Sequence, residues 1–310
     1  MYDTLHLWIP ALRIGEGSFI ERVPALLNSP TLHTKADGLN YITGNILGMN
    51  TSVSNSGISL KGSICKSYLK DNFKTLTRQD TQRALEQLSD VLLLPIEQAD
   101  VRRIDFAQSF TMTNKPESYY QFLGASNHYK RLEQPKSIYY QNGGKTKLFY
   151  NKIAEGKHKG ELIPEIWANK NILRYELRYM SRLHHQFNTS ILQAKELHKE
   201  QFYIDMVDRW IIEYKAINKN TNINFDLENM KQPKDFFTQL LLLKINELGQ
   251  NNVLELVEQL KAQKVFSHPE YYSRLKADIK KLCKTEKVTE SSDLILELDK
   301  KIMQVKEYCR

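Results

Sequence analysis

Cysteine is scarce in this chain. Its three residues, Cys65, Cys283 and Cys309, lie far apart and form no Cys-x-x-Cys pair. That spacing excludes a disulfide framework and a zinc cluster, and predicts free thiols in a reducing compartment. No run of about eighteen apolar residues occurs, which argues against a membrane span. The opening "MYDTLHLWIP" has neither the basic start nor the long apolar stretch of a signal peptide. A cytoplasmic location without a membrane partner is the expectation. Neither a P-loop nor G-x-G-x-x-G is present, so ATP-driven unwinding is not encoded. No His-hydrophobe-His motif exists either, so a paired-histidine metal site of that spacing is absent. One further absence is local: no Asp or Glu lies between Asp37 and Asp71.

What is present points to a globular, basic protein. Of the 310 residues, 41% are apolar and 26% charged, which supplies a real core and a charged surface. The net charge is +8, and the excess is uneven: residues 130–182 carry 12 Lys/Arg against 5 Asp/Glu. A phosphate backbone is the natural counter-charge, and binding of that kind weakens steeply with salt.

The chain changes texture near residue 180. Before it come short strands and turn signals. "TLHLWIP" alternates, with Leu5, Leu7 and Ile9 on one face. "SFIERVPALLNS" reads as a short helix weakened by Pro24. "LNYITGNIL" and "GISLKGSIC" are strand-like. "TRQDTQRALEQLSDVLLL" is the clearest helix of this half, capped by Thr77 or Asp80 and stopped by Pro95. "DVRRIDFAQSF" is a strand, and "PESYYQFLGA" reads as a helix. "KSIYYQNGGKTKLFYNK" is a hairpin, in which Asn142-Gly143-Gly144 is expected to supply positive φ angles. "IAEGKHKGELIPE" reads as a polar loop before a last strand, "NILRYELRYM". After Ser181 helical spacing predicts helices near 190–216, 234–248, 252–263, 268–283 and 291–308. The expected fold is therefore α+β: an antiparallel sheet with helices on one face over 1–185, then an all-α region over 186–310.

Three strands carry side chains that call for explanation. Asp105 shares a face with Arg103 and Ala107. Glu176 shares one with Arg174 and Arg178. Tyr150 shares one with Leu148 and, by alternation, Lys152. Carboxylates are depleted in strand interiors and costly to bury alone. A structural Asp/Glu–Arg ladder explains them singly. Together they suggest more: Asp105 and Glu176 as oxygen ligands for Mg²⁺ or Mn²⁺, and Tyr150 as a nucleophile attacking a phosphodiester. Lys152 would lower the tyrosine's pKa or stabilise developing charge.

The ordered set "RRIDF", "KLFYNK" and "LRYELRY", with "MYDTLHLWIP" and "YLKDNFKTLT", resembles the replication-initiation proteins of filamentous phages. It is also similar to rolling-circle plasmid initiators of the nicking–closing "transfer" class. The resemblance covers about residues 1–190. It implies a metal-dependent endonuclease that cuts one strand at an origin, keeps the 5′ phosphate on Tyr150, and binds its metal through Asp105 and Glu176. A third acidic ligand from "GISLKGSIC" is missing, so water, Asp3 or a backbone carbonyl would have to serve. DNA contacts are expected from Arg103, Arg174, Arg178, Lys145, Lys147, Lys157, Lys159, His184 and His185. Origin DNA, single-stranded or cruciform, is the expected partner, together with a host helicase and a second copy of the chain. The alternatives are a non-catalytic origin-binding regulator, or a relaxase or transposase with the same tyrosine chemistry.

Overall fold

Alternation of apolar and polar residues dictates the first half. In β1 (Tyr2–Pro10), Leu5, Leu7 and Ile9 are buried while His6 and Trp8 stay half-exposed. Next come β2 (Asn28–Thr34), β3 (Asn40–Ile46), β4 (Met49–Ser54), where the period of two recurs, β5 (Gly57–Ser63) and β6 (Asp100–Met112). After the short β7 (Leu123–Ser126) follow β8 (Lys130–Gln134), β9 (Ser137–Gln141), β10 (Lys145–Asn151) and β11 (Asn171–Tyr179). Ten of these build one antiparallel sheet in the order β2-β3-β4-β5-β1-β6-β11-β10-β9-β8. β7 instead pairs with β12 (Ile217–Lys219). The structure, a computed structural model, describes residues 1–15, 18–220, 222–223, 230–283, 289–290 and 292–308.

One face of the sheet carries the core. Helix Arg78–Leu92 lays Ala84, Leu85, Leu88 and Leu92 onto it. Its start is fixed by a capping box, in which Thr77 and Asp80 bond each other's backbone amides, so both expected caps act together. Helix Glu200–Lys215 adds Tyr203, Met206, Val207, Trp210 and Tyr214, and helix Asp293–Tyr308 adds Leu298 and Ile302. The α+β architecture read from the sequence is therefore the observed one.

Four local features differ from the expectation. The compact units are residues 1–219 with 294–308, and residues 220–293, so the boundary at 185/186 is displaced. The reason is packing: helix Glu200–Lys215 buries its apolar stripe against the sheet. The hairpin turn has no positive φ at Asn142, Gly143 or Gly144. Instead Asn142 Oδ1 accepts from the amides of Gly144 (3.0 Å) and Lys145 (2.7 Å). The loop "IAEGKHKGELIPE" contains helix Lys152–His158 and begins a second, Glu165–Ala168. Of "PESYYQFLGA", only Glu117–Tyr120 is helical, and β7 follows.

Residues 220–293 hold helices Pro233–Leu248, Gln250–Ala262 and Glu270–Leu282. Their own small core includes Ile245, Val257, Tyr272 and Ile279. Cys65 and Cys283 are free thiols, and Cys309 lies outside the described residues. Among the described residues no helix is long and apolar enough to cross a membrane.

Candidate active site

The face opposite the main core carries the charged strand residues. Arg178 lies across from Asp105, Leu148 across from Glu176, and Tyr150 across from Arg174. Register thus brings β6, β11 and β10 side chains to one place. They line a cavity of about 790 Å³ that includes Asp3, Asn72, Arg103, Asp105, Tyr150, Glu155, Lys159, Glu176 and Arg178.

Asp105 and Glu176 are both held by arginine. Arg103 grips Asp105 with two bonds, Nε to Oδ1 at 2.8 Å and a terminal nitrogen to Oδ2 at 2.7 Å. Arg178 Nε donates to Glu176 Oε1 at 2.7 Å and lies 3.7 Å from Asp105 Oδ2. Tyr150 is 8% exposed, and its hydroxyl donates to Glu176 Oε2 at 3.3 Å. Burial and the nearby Glu176 carboxylate push the phenol well above its ordinary pKa. Burial, reinforced by Glu176, raises Asp105 to about 7 against the pull of Arg103 and Arg178.

Asp3 reaches the site through an irregularity. The β1–β6 register slips between Tyr2 and Leu5, so Tyr2 packs on Phe106 in the core while Asp3 turns to the cavity. It accepts from Ser63 (2.6 Å) and pairs with Arg174 (2.8 Å). Arg174 is fully buried and also donates to the Asn72 carbonyl (2.7 Å) and Ser109 Oγ (3.0 Å). It is a cation beneath the cavity, not a surface DNA contact. It also opposes the rise in the Tyr150 pKa, the part expected of Lys152.

Lys152 stands differently from its strand alternation. The strand ends at Asn151, whose side chain caps the next helix by accepting from Ala154 N at 3.0 Å. Lys152 is therefore a first-turn helical residue. It is fully buried, with Nζ 2.7 Å from Glu155 and 3.8 Å from Glu161. Lys145 and Lys147 project to the core side, where both meet Glu213 at 2.8 and 2.9 Å. Lys147 is wholly buried, so neither its charge nor its position suits a phosphate contact. Lys159 lines the cavity and pairs with Glu155, and Lys157 is exposed nearby on the same short helix. His184 and His185 are exposed and lie ring to ring at 4.2 Å, outside the cavity.

The family model for the N-terminal part of the phage replication-associated protein of gene II type matches residues 1–213. The chain belongs to this family of phage replication-associated proteins. No curated protein matches it. The match takes in every residue lining the cavity and ends within helix Glu200–Lys215.

The donor set suits a hard cation. Asp105 and Glu176 offer only oxygen, and Asn72 Oδ1, lining the same cavity, is buried with no hydrogen-bond partner. Among the described residues no group of three His, Cys, Asp or Glu side chains could hold an ion. Mg²⁺ commonly takes one or two carboxylates and completes its shell with water and substrate phosphate, so two suffice. Asn72, Ser63 and Glu155 were not singled out by the sequence. The strongest signal for the segment bearing Glu155 was Asn151, a good N-cap residue before "KIAEG".

Proposed function

We propose that the chain initiates rolling-circle replication by cutting and rejoining one DNA strand, with Tyr150 as nucleophile. The observation that carries this reading is the Tyr150 hydroxyl bonded to Glu176 in a cavity shared with Asp105. Membership of the replication-associated family supports DNA as the substrate.

Glu176 Oε2 is the nearest acceptor for the phenol proton. The Tyr150 oxygen then attacks phosphorus. Its new O–P bond replaces the bond to the 3′ oxygen, which takes up a proton and leaves as a 3′-hydroxyl. The 5′ phosphate stays on Tyr150, so bond energy is kept and no nucleotide is consumed. Rejoining is the reverse, with a 3′-hydroxyl attacking the phosphotyrosine. A divalent cation, Mg²⁺ or Mn²⁺, held by Asp105 and Glu176 would withdraw charge from the phosphodiester. Arg174, fixed by Asp3, Asn72 and Ser109, keeps positive charge beneath the phenol throughout. Arg103 and Arg178 are partly exposed, 19% and 28% of their side chains, and would be released toward phosphate were a cation to hold the two carboxylates. Unwinding falls to a separate helicase, and paired strand transfers suit a second copy of the chain.

The test uses a labelled single-stranded origin oligonucleotide with Mg²⁺ or Mn²⁺. The parent chain should give an SDS-resistant adduct, and Tyr150→Phe none, with DNA affinity changed less than about twofold. An adduct from Tyr150→Phe would remove Tyr150 from the chemistry. No adduct from the parent would leave a non-catalytic DNA-binding protein.

A further inference from the structure

The acid-free interval, residues 38–70, folds into β3, β4, β5 and helix Ile64–Leu69. On the cavity's side of the sheet, these strands carry a row in cross-strand register. Asn45 faces Asn50, Asn50 faces Lys61, Lys61 faces His6, and His6 faces Arg103. Arg103 grips Asp105, so the row runs into the cavity. Four inter-strand steps make it roughly 19 Å long. Thr43, Ser52, Ser59 and Trp8 form a second row beside it. Their in-strand neighbours Met49, Val53, Ile58, Leu60 and Leu7 are buried in the core, so the outward rows are not needed for core packing.

Three properties define what this surface would bind. Its charge is mainly positive: Lys61 and Arg102 are exposed, β3–β5 contribute no carboxylate, and Asp100, across from Trp8, is paired with Arg13. Amides and hydroxyls, among them Asn28, Thr43, Asn45, Asn50 and Ser52, line a concavity of about 460 Å³. Rings stand beside cations: Arg102 lies 4.8 Å from the Trp8 ring, and Lys35 lies 5.8 Å from Tyr41, which stacks on His33 at 4.8 Å. Cations, stacking rings and short hydrogen-bonding side chains on an open sheet suit unpaired bases.

We propose that the outer face of β1–β5 binds single-stranded DNA flanking the segment held in the cavity. The proposal rests on the cutting reading only for the cavity's occupant. Its continuity with the cavity and its charge complementarity to phosphate commit it to DNA rather than to a protein partner.

The experiment uses the full chain carrying Tyr150→Phe, so that nothing is cut. A fluorescein-labelled single strand of about twenty nucleotides is titrated at low salt and followed by anisotropy. Lys61→Glu should weaken binding about tenfold and flatten its salt dependence. Tyr41→Ala should weaken it about fivefold or more. Lys195→Glu, a matched charge reversal on the turn Ala194–Glu196 outside the sheet, should change it less than twofold. Circular dichroism should be the same for all. The proposal is overturned if the parent does not bind, or if Lys61→Glu and Tyr41→Ala bind like the parent. It is also overturned if a duplex of the same sequence binds more tightly with the same losses. An adduct assay with Tyr150 restored separates the two readings. Adducts with a Lys61-independent affinity sink the surface alone. A Lys61-dependent affinity without adducts sinks the cutting reading alone.

Discussion

At the scale of single residues, burial and pairing decide which charges can act. Asp105 has a pKa raised to about 7 mainly because its carboxylate is taken out of water. A cation needs the deprotonated form, so metal-dependent cutting should rise about tenfold per pH unit below pH 7 and level off above it. Asp105→Asn should abolish it, as read in the adduct assay. The linked stability effect has the opposite slope. With chelator present, a carboxyl whose folded pKa lies above its unfolded value stabilises the fold at low pH, and loses that contribution as pH rises from about 4 through 7. Asp105→Asn should flatten the fall in Tm over that window. Lys147 is the contrasting case, since its ammonium sits between Ser126 Oγ (2.9 Å) and Glu213 (2.9 Å). Lys147→Met leaves Glu213 with Lys145 and the Tyr129 hydroxyl, and should cost about 3 kcal/mol in urea unfolding. DNA affinity of the folded variant should be unchanged.

At the scale of elements, the sequence reading was strongest where a period and a terminus signal agreed. Helix Arg78–Leu92 had an apolar stripe, Thr77 and Asp80 at its start, and Pro95 beyond its end. Thr77→Ala should remove about 1 kcal/mol of stability in denaturant melts without changing the adduct yield. The reading failed where a strand stopped one residue earlier than alternation implied. Alternation puts Tyr150 and Lys152 on one face, yet Asn151 caps a helix, and Lys152 turns to Glu155. Alternation also places Lys145 and Lys147 opposite Tyr150, on the core side. A pairing with Glu213, dozens of residues later, satisfies them there. The β1–β6 register slip that delivers Asp3 leaves no mark in sequence, because a bulge is fixed by the neighbouring strand.

At the scale of the whole molecule, the unit bearing the site is discontinuous. It is closed by the last helix, whose Ile295, Leu298, Ile302 and Val305 are buried in the main core. Glu297 and Asp299 on that helix bond Tyr119 and Tyr214. A fragment ending at residue 219 should therefore be insoluble or molten by near-ultraviolet circular dichroism. The chain enters and leaves residues 220–293 along an antiparallel pair, Asn222 opposite Glu290. A short Gly/Ser linker replacing residues 220–293 should give a folded protein that still forms the adduct. Loss of the fold on that replacement would show the larger unit to depend on the smaller.

Sequence alone determined strands β1, β3, β5, β6, β9, β10 and β11, the long helices, the α+β class and the ordered motifs around Asp105, Tyr150 and Glu176. Those follow from local periodicity and end signals, which need only neighbouring residues. Tertiary structure decided which charges are free and which are spent. Arg174 became a buried support, Lys147 and Lys152 became internal ion pairs, and Asp3 and Asn72 joined the cavity. Those outcomes depend on register between strands distant in sequence, and on the cost of burying charge without a partner.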